Sequence, residues 1–177
     1  MAYSLEQFCS DTRRMLAEKP GPGGREDVRA NIANLLTDET FLAEFCGPDA
    51  APGITTVHRC RETGFNVLVH VYASGKSGPP HDHGASWAIY GQAVGHTDMA
   101  TWKRLDAGGS SGNAKLEKDR SFRLDPGMAD TFEPGQIHSI EISDNSRFVR
   151  VTGTDLNTIE TLVFNADEGT VKPGNRL

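Results

Sequence analysis

The sequence predicts a mainly β domain, a sandwich or barrel, with a helical cover at its N-terminal end. Three observations lead there. The apolar period changes from 3.6 to 2 near Ile54. Beyond that point, short β-branched and aromatic runs alternate with turn signals such as Pro126-Gly127 and Pro134-Gly135. At 177 residues the chain has the length of one domain, able to bury a core without covalent staples. We take residues 1–177 as that domain, with 1–47 helical and 48–177 forming the barrel.

The elements follow in order. Ser4 to Lys19 reads as a helix, because Ser4 and Gln7 have capping-box spacing and Leu5, Phe8, Cys9, Thr12, Met15 and Leu16 fall on one face. The run Pro20 to Gly24 ends it. Glu26 to Leu36 reads as a second helix, with Val28, Ile32, Leu35 and Leu36 on one side. Asp38 caps a third through Phe41, Leu42, Phe45 and Cys46, stopped by Gly47-Pro48. The strand candidates are ITTVHRC, FNVLVHVY, SWAIYGQAVG, TDMATWKRL, KDRSFRL, DTFEPG, HSIEIS, RFVRVT and IETLVFN. Ala107 to Lys115 reads as a hairpin tip, and the terminal VKPGNRL as a tail.

Charge and composition narrow the function. The net charge is −6 and the pI about 5.5, and no block of Lys or Arg stands out. Nucleic acid and anionic membranes are therefore not the expected partners. Cys9, Cys46 and Cys60 are odd in number and not in C-x-x-C spacing, so they read as small buried hydrophobes in a reducing compartment. The N-terminus has no apolar leader-like run and no window approaches a membrane span. A cytoplasmic protein is the expectation.

The chemistry concentrates in Gly75 to Gly95, which holds His81 and His83 one residue apart. On a strand, alternate residues share a face, so an H-x-H pair aims two imidazoles at one point. Two convergent imidazoles are most of a transition-metal site. His138, just after the Pro134-Gly135 turn, is the candidate third ligand.

These residues resemble the two motifs of the cupin superfamily, small double-stranded β-helix (jelly-roll) barrels. Gly75, His81, His83 and Gly95 match the first motif at its spacing; Gly127, Gly135 and His138 match the second. The resemblance implies one divalent metal ion on His81, His83 and His138. The departures are informative. The glutamate that many cupins use as fourth ligand would stand at 87 or 88, and Trp87 and Ala88 are there; position 133 is Glu and position 142 is Ile. A three-histidine site without a carboxylate is similar to that of the thiol dioxygenases (cysteine dioxygenase and mercaptopropionate dioxygenase), whose helical cover and strand-loop-strand segment the chain also resembles. Three neutral imidazoles leave two or three positions open on an octahedral ion, room for substrate and O2 side by side. The resemblance thus implies Fe(II), with Zn, Ni or Mn able to fit the same ligands.

The same family carries a Ser-His-Tyr relay on a late strand. Here Arg150 stands where its histidine is expected and Thr152 where its tyrosine is expected, so that relay is absent. If Ala88 faces the interior, alternation sends Tyr90 and Gln92 there too, as candidate catalytic groups. Arg150 joins them if it faces inward, where its guanidinium would need an anion: Glu133, Glu141 or a substrate carboxylate. Arg59 and Arg61 lie near where the family keeps a carboxylate-binding arginine, and Trp87 belongs at the pocket wall; these three are the substrate-binding candidates. His58, His70 and His96 have no partner at ligand spacing, although His70 and Tyr72 share a face that would border a pocket.

The expected function is a metal-dependent enzyme, an Fe(II) dioxygenase acting with O2 on a small thiol or other small anionic molecule. Two alternatives stand beside it: an O2-independent isomerase, lyase or hydrolase using Zn, Ni or Mn, and a non-catalytic cupin that binds a small ligand. Exposed sheet edges would allow a homodimer.

Overall fold

The structure is a computed structural model that describes residues 3–174. Three helices come first: α1 (Leu5–Glu18), α2 (Pro22–Leu35) and α3 (Glu39–Cys46). Ser4 caps α1, its side chain accepting from the Gln7 N–H at 3.2 Å, and Asp38 caps α3 through the Phe41 N–H. Helix α2 starts four residues before the expected Glu26. The run that ends α1 also opens α2, because Pro22 occupies the first turn, where its missing N–H has no partner to lose.

Twelve strands follow: β1 (Gly53–Arg59), β2 (Asn66–Val71), β3 (Lys76–His81), β4 (Ala88–Val94), β5 (Thr97–Arg104), β6 (Gly112–Asn113), β7 (Leu116–Leu124), β8 (Ala129–Phe132), β9 (Ile137–Ile142), β10 (Arg147–Thr152), β11 (Leu162–Asn165) and β12 (Thr170–Pro173). One sheet has the order β1-β2-β10-β4-β8, the other β6-β12-β11-β3-β9-β5-β7, all antiparallel. From β2 to β5 successive strands alternate between sheets. The β5–β7 hairpin turns the chain round, and β8, β9 and β10 alternate back. That winding is a jelly roll, the double-stranded β-helix expected from the motifs.

Two expectations about strands change. Lys76–His81 is a strand despite Gly78, Pro79 and Pro80, its register broken between Gly78 and His81 where the prolines cannot donate to the ladder. The first residues of the expected tail, Val171 to Pro173, belong to β12, which pairs with β11; residues 175–177 lie outside the described part.

Strands β2, β4 and β10 of the five-stranded sheet are buried on both faces, which decides where the site lies. Val67, Val69, Val71, Ile89, Val149 and Val151 pack outward against Phe8, Val28, Ile32, Leu35 and Phe41 of the helices. The opposite face of the same strands, Ala88, Tyr90 and Phe148, packs inward with Met99, Leu124, Phe132 and Ile142. The helices are thus the second layer of a core, and the barrel interior receives the more polar face. Gly91 marks the closest approach of α2 to the sheet: a Cβ there would meet Ile32 Cγ2 at 2.2 Å. Because Ile32 is fully buried, Gly91→Ala is expected to destabilise by about 1–3 kcal/mol through overpacking, read as a lower urea midpoint at unchanged slope. No helix among the described residues is long and apolar enough to cross a membrane.

Candidate metal centre

His81, the last residue of β3, is the antiparallel partner of His138, the second residue of β9, so both side chains leave the seven-stranded sheet on one face. His83 does not share that strand. It lies past the end of β3, in a turn closed by the Ser86 N–H donating to its carbonyl at 3.0 Å. Gly84 makes the turn possible, with φ +57° and no room for a Cβ against the Glu160 carbonyl oxygen. Convergence of the H-x-H pair therefore comes from a turn after a strand, not from strand alternation.

Asp82, between the two, points away from them. Its Oδ1 accepts from the N–H groups of Gly84 at 3.0 Å and Leu162 at 2.8 Å, tying the turn to β11. One nitrogen from each of His81, His83 and His138 lies within 4.8 Å of the others. The Nε2 atoms of His83 and His138 are 3.4 Å apart. Two imidazoles sharing one ion at about 2.0–2.1 Å would hold their nitrogens about 3.0–3.4 Å apart, so the donor set fits a single transition-metal ion.

The protonation states agree. Burial pushes the His83 and His138 imidazoles well below the ordinary histidine range, helped by mutual repulsion among the three rings and by the Arg150 charge. His81 is lowered mainly by burial, against an opposing bond to the Pro79 carbonyl. Neutral imidazoles are the ligating form. The His81 Nδ1–H donates to Pro79 O at 3.0 Å, leaving Nε2 free for the site. Nδ1 of His83 and of His138 are buried without a partner among the described residues. Packing rather than hydrogen bonding orients His138, whose ring stacks on Phe132 at 4.0 Å.

Beside the histidines lies a cavity of about 260 Å³, lined on one wall by Tyr90, Phe148, Arg150, His70 and Tyr72. Strand register brings them together: Arg150 is the Cα partner of Tyr90, and Phe148 that of His70. Tyr90 Oη is 3.2 Å from His83 Nε2, at the edge of the three-histidine cluster. Ala88 faces the same interior, fully buried, and offers no ligand atom. The winding of the strands and the three-histidine cluster at the two motif positions now agree. The fold is that of a cupin.

The remaining site candidates separate. Gln92 is buried, but its amide nitrogen donates to Val94 O and Ser146 Oγ and its oxygen accepts from Thr97 Oγ1, so it lies outside the cavity and fastens β4 to β10. Arg59 pairs with Asp155 at 2.8 Å and lines, with Arg61, a separate open groove between α1, α3 and the end of β1. Trp87 packs toward the helix-facing core and against Gly153 rather than on the cavity wall. His70 and Tyr72, singled out only by their shared strand face, are wall residues, with His70 Nδ1 3.4 Å from Tyr72 Oη and its ring stacked on Phe148.

No protein-family model matches the chain. Human 2-aminoethanethiol dioxygenase is similar, 29% identical over 114 residues; these are 63% of this chain and 42% of that protein, so the chain spans less than half the length of this curated relative. Among solved structures, KdgF from a Halomonas species overlays with a TM-score of 0.42 at 18% identity, covering 59% of this chain and 82% of the other. A cupin superfamily protein from Desulfitobacterium hafniense gives 0.43 at 14%, covering 62% and 86%.

Proposed function

We propose that this cupin is a metal-dependent enzyme that oxidises a small thiol, or another small anionic molecule, with O2 at Fe(II) held by His81, His83 and His138. One observation carries the reading: three neutral imidazoles, those of His83 and His138 buried and that of His81 half-buried, converge with no carboxylate among them, since Ala88 occupies the fourth ligand's place. The similarity to a thiol dioxygenase supports it. Bound there, iron would supply a redox-active Lewis acid with open positions for substrate and O2.

The chain's own groups do the rest. The Tyr90 hydroxyl, 3.2 Å from His83 Nε2, is placed to hold or pass a proton at the substrate's reacting atom. Phe148 and Tyr72 form an apolar wall that limits water beside the histidines. Gln92 acts as support for the strand that carries Tyr90. The three free cysteines suit a reducing cytoplasm.

A second reading, O2-independent acid–base chemistry on Zn, Ni or Mn, draws on the same Tyr90 hydroxyl. Protein purified from its native host without added metal separates the two. The proposal expects about one iron per chain and O2 uptake with a small thiol or enolisable acid. Turnover without O2 on another metal would establish the second reading. A ligand-induced rise in stability with no turnover would make the protein a binding cupin.

A further inference from the structure

Cys60 is a nucleophile that the metal centre leaves unused. Cys9 and Cys46 are the buried hydrophobes that composition predicts, but Cys60 is only half-buried, at the turn that joins β1 to β2. The Cys60 N–H donates to Phe65 O at 2.9 Å and the Gly64 N–H to Cys60 O at 3.0 Å, which closes that turn. It folds back over its own first side chain. The Thr63 hydroxyl donates to Cys60 Sγ at 3.2 Å, and the N–H groups of Thr63 and Glu62 donate to the same sulfur. A neutral thiol is a weak acceptor and a thiolate a strong one, so three converging donors suit the anion.

A second thiol lies on the facing wall. Cys9 and Arg13, four residues apart on α1, share a helix face. Arg13 pairs with Glu62 of the turn at 2.9 Å, which seats that face against the Cys60 loop. Cys9 and Cys60 both line the open groove between α1, α3 and the end of β1, a space of about 740 Å³, and both pack into the helix-side core.

The sulfurs differ in character. Burial pushes the Cys60 thiol up, but the Thr63 hydroxyl and the two N–H groups outweigh it and hold the thiol below its ordinary range. Burial, with a smaller contribution from a Cys60 charge, pushes Cys9 up to about 12, and burial pushes Cys46 up to about 11. One sulfur is set to attack, and its neighbour stays protonated until it is needed.

We propose that Cys60 and Cys9 form a dithiol site that reduces a small disulfide and closes into a disulfide bond of its own, stapling α1 to the β1–β2 turn. The Cys60 thiolate attacks one sulfur of the small disulfide RSSR; a Cys60–SR bond forms, the S–S bond breaks and RS⁻ leaves. The Cys9 sulfur then attacks Cys60 Sγ, forming the Cys9–Cys60 bond and releasing the second RS⁻. One leaving thiolate takes the Cys9 proton, and the other takes back from solvent the proton that Cys60 gave up. Two protein thiols are thus oxidised by two electrons and RSSR is reduced to two RSH. In a reducing compartment the open dithiol prevails, and closure records a rise in oxidised small thiols. The site lies apart from the histidines and does not rest on the metal reading.

Reduced full-length protein, mixed with 2-hydroxyethyl disulfide with O2 excluded and followed by intact mass and peptide mapping, tests the site. Wild type is expected to pass through a single adduct on Cys60 and to end free of adduct, two hydrogens lighter, with Cys9 joined to Cys60. Cys9→Ser should stop at the Cys60 adduct. Cys46 should react about tenfold more slowly than Cys60, or slower still, in the same sample. Thr63 is exposed, so Thr63→Val leaves the core alone. It should move the midpoint of iodoacetamide alkylation at Cys60 to higher pH, which a merely structural threonine would not do. A lasting adduct on wild-type Cys60, first reaction at Cys9 or Cys46, or no oxidation of the wild type overturns the proposal, whether or not the variants fold. So does an alkylation midpoint that Thr63→Val leaves in place.

Discussion

His138→Ala protein, loaded with Fe(II) and desalted, is expected to retain less than a tenth of the metal that wild type holds. His138 is the proposed ligand that joins the two halves of the centre, since β9 carries it across from β3, and the cluster holds no carboxylate among the described residues. The remaining two imidazoles would sit in different local settings, one at a strand end and one in the Gly84 turn, with nothing to complete the set. Elemental analysis checks the loss directly. Circular dichroism with urea titration checks that the barrel persists, because removing a fully buried ring that stacks on Phe132 is expected to cost a few kcal/mol by itself, about 2–4. A folded variant that still binds a full equivalent of metal would place the ion elsewhere.

The second large effect is acid sensitivity of the metal-free protein. Burial holds His70, His83 and His138 well below the ordinary histidine range. In the unfolded chain they titrate near pH 6.5. Above that pH both states are neutral and the histidines leave stability unchanged. Below it the unfolded chain binds protons that the native state refuses, so stability falls as pH falls. Each such histidine contributes about 1.4 kcal/mol per pH unit, and three together approach about 4, a large share of a typical domain's stability. The window lies above the range in which ordinary carboxylates titrate, so urea midpoints between about pH 7 and about pH 5 isolate it. His70→Phe sharpens the test. It keeps the stack on Phe148, removes the orphaned Nε2 and leaves the three proposed ligands alone. The slope should shrink by about a third and the variant should gain on wild type at low pH. Equal slopes would show that His70 is not held neutral in the fold.

How much of this was legible in the sequence depends on the range of the interaction. The caps at Ser4 and Asp38 and the histidine spacing are local, and the structure reproduces them. The missing carboxylate was legible because a motif fixes its position, and Ala88 does face the interior. The two valines of RFVRVT left the inward face open. The strand is buried on both sides, so its polar side, Arg150 and Thr152, does not mark a solvent face, and only the helices lying over Val149 and Val151 settle which face lines the cavity. His70 and Tyr72 join the wall because β2 lies next to β10, a pairing between segments some eighty residues apart in sequence. Arg59 and Arg61 failed to reach the cavity for the converse reason: the end of β1 lies at the helix-lined groove. Gln92 has the expected inward register but finds partners on the protein before it reaches the site.

The central claim is one metal ion on three imidazoles with no protein carboxylate. A crystal of iron-loaded protein, with anomalous data collected at the iron edge, tests it most directly. The account predicts a single peak per chain, bonded by nitrogen from His81, His83 and His138, with Arg150 and Tyr90 facing its open side. A peak bonded by a carboxylate, or one away from these three rings, would contradict it.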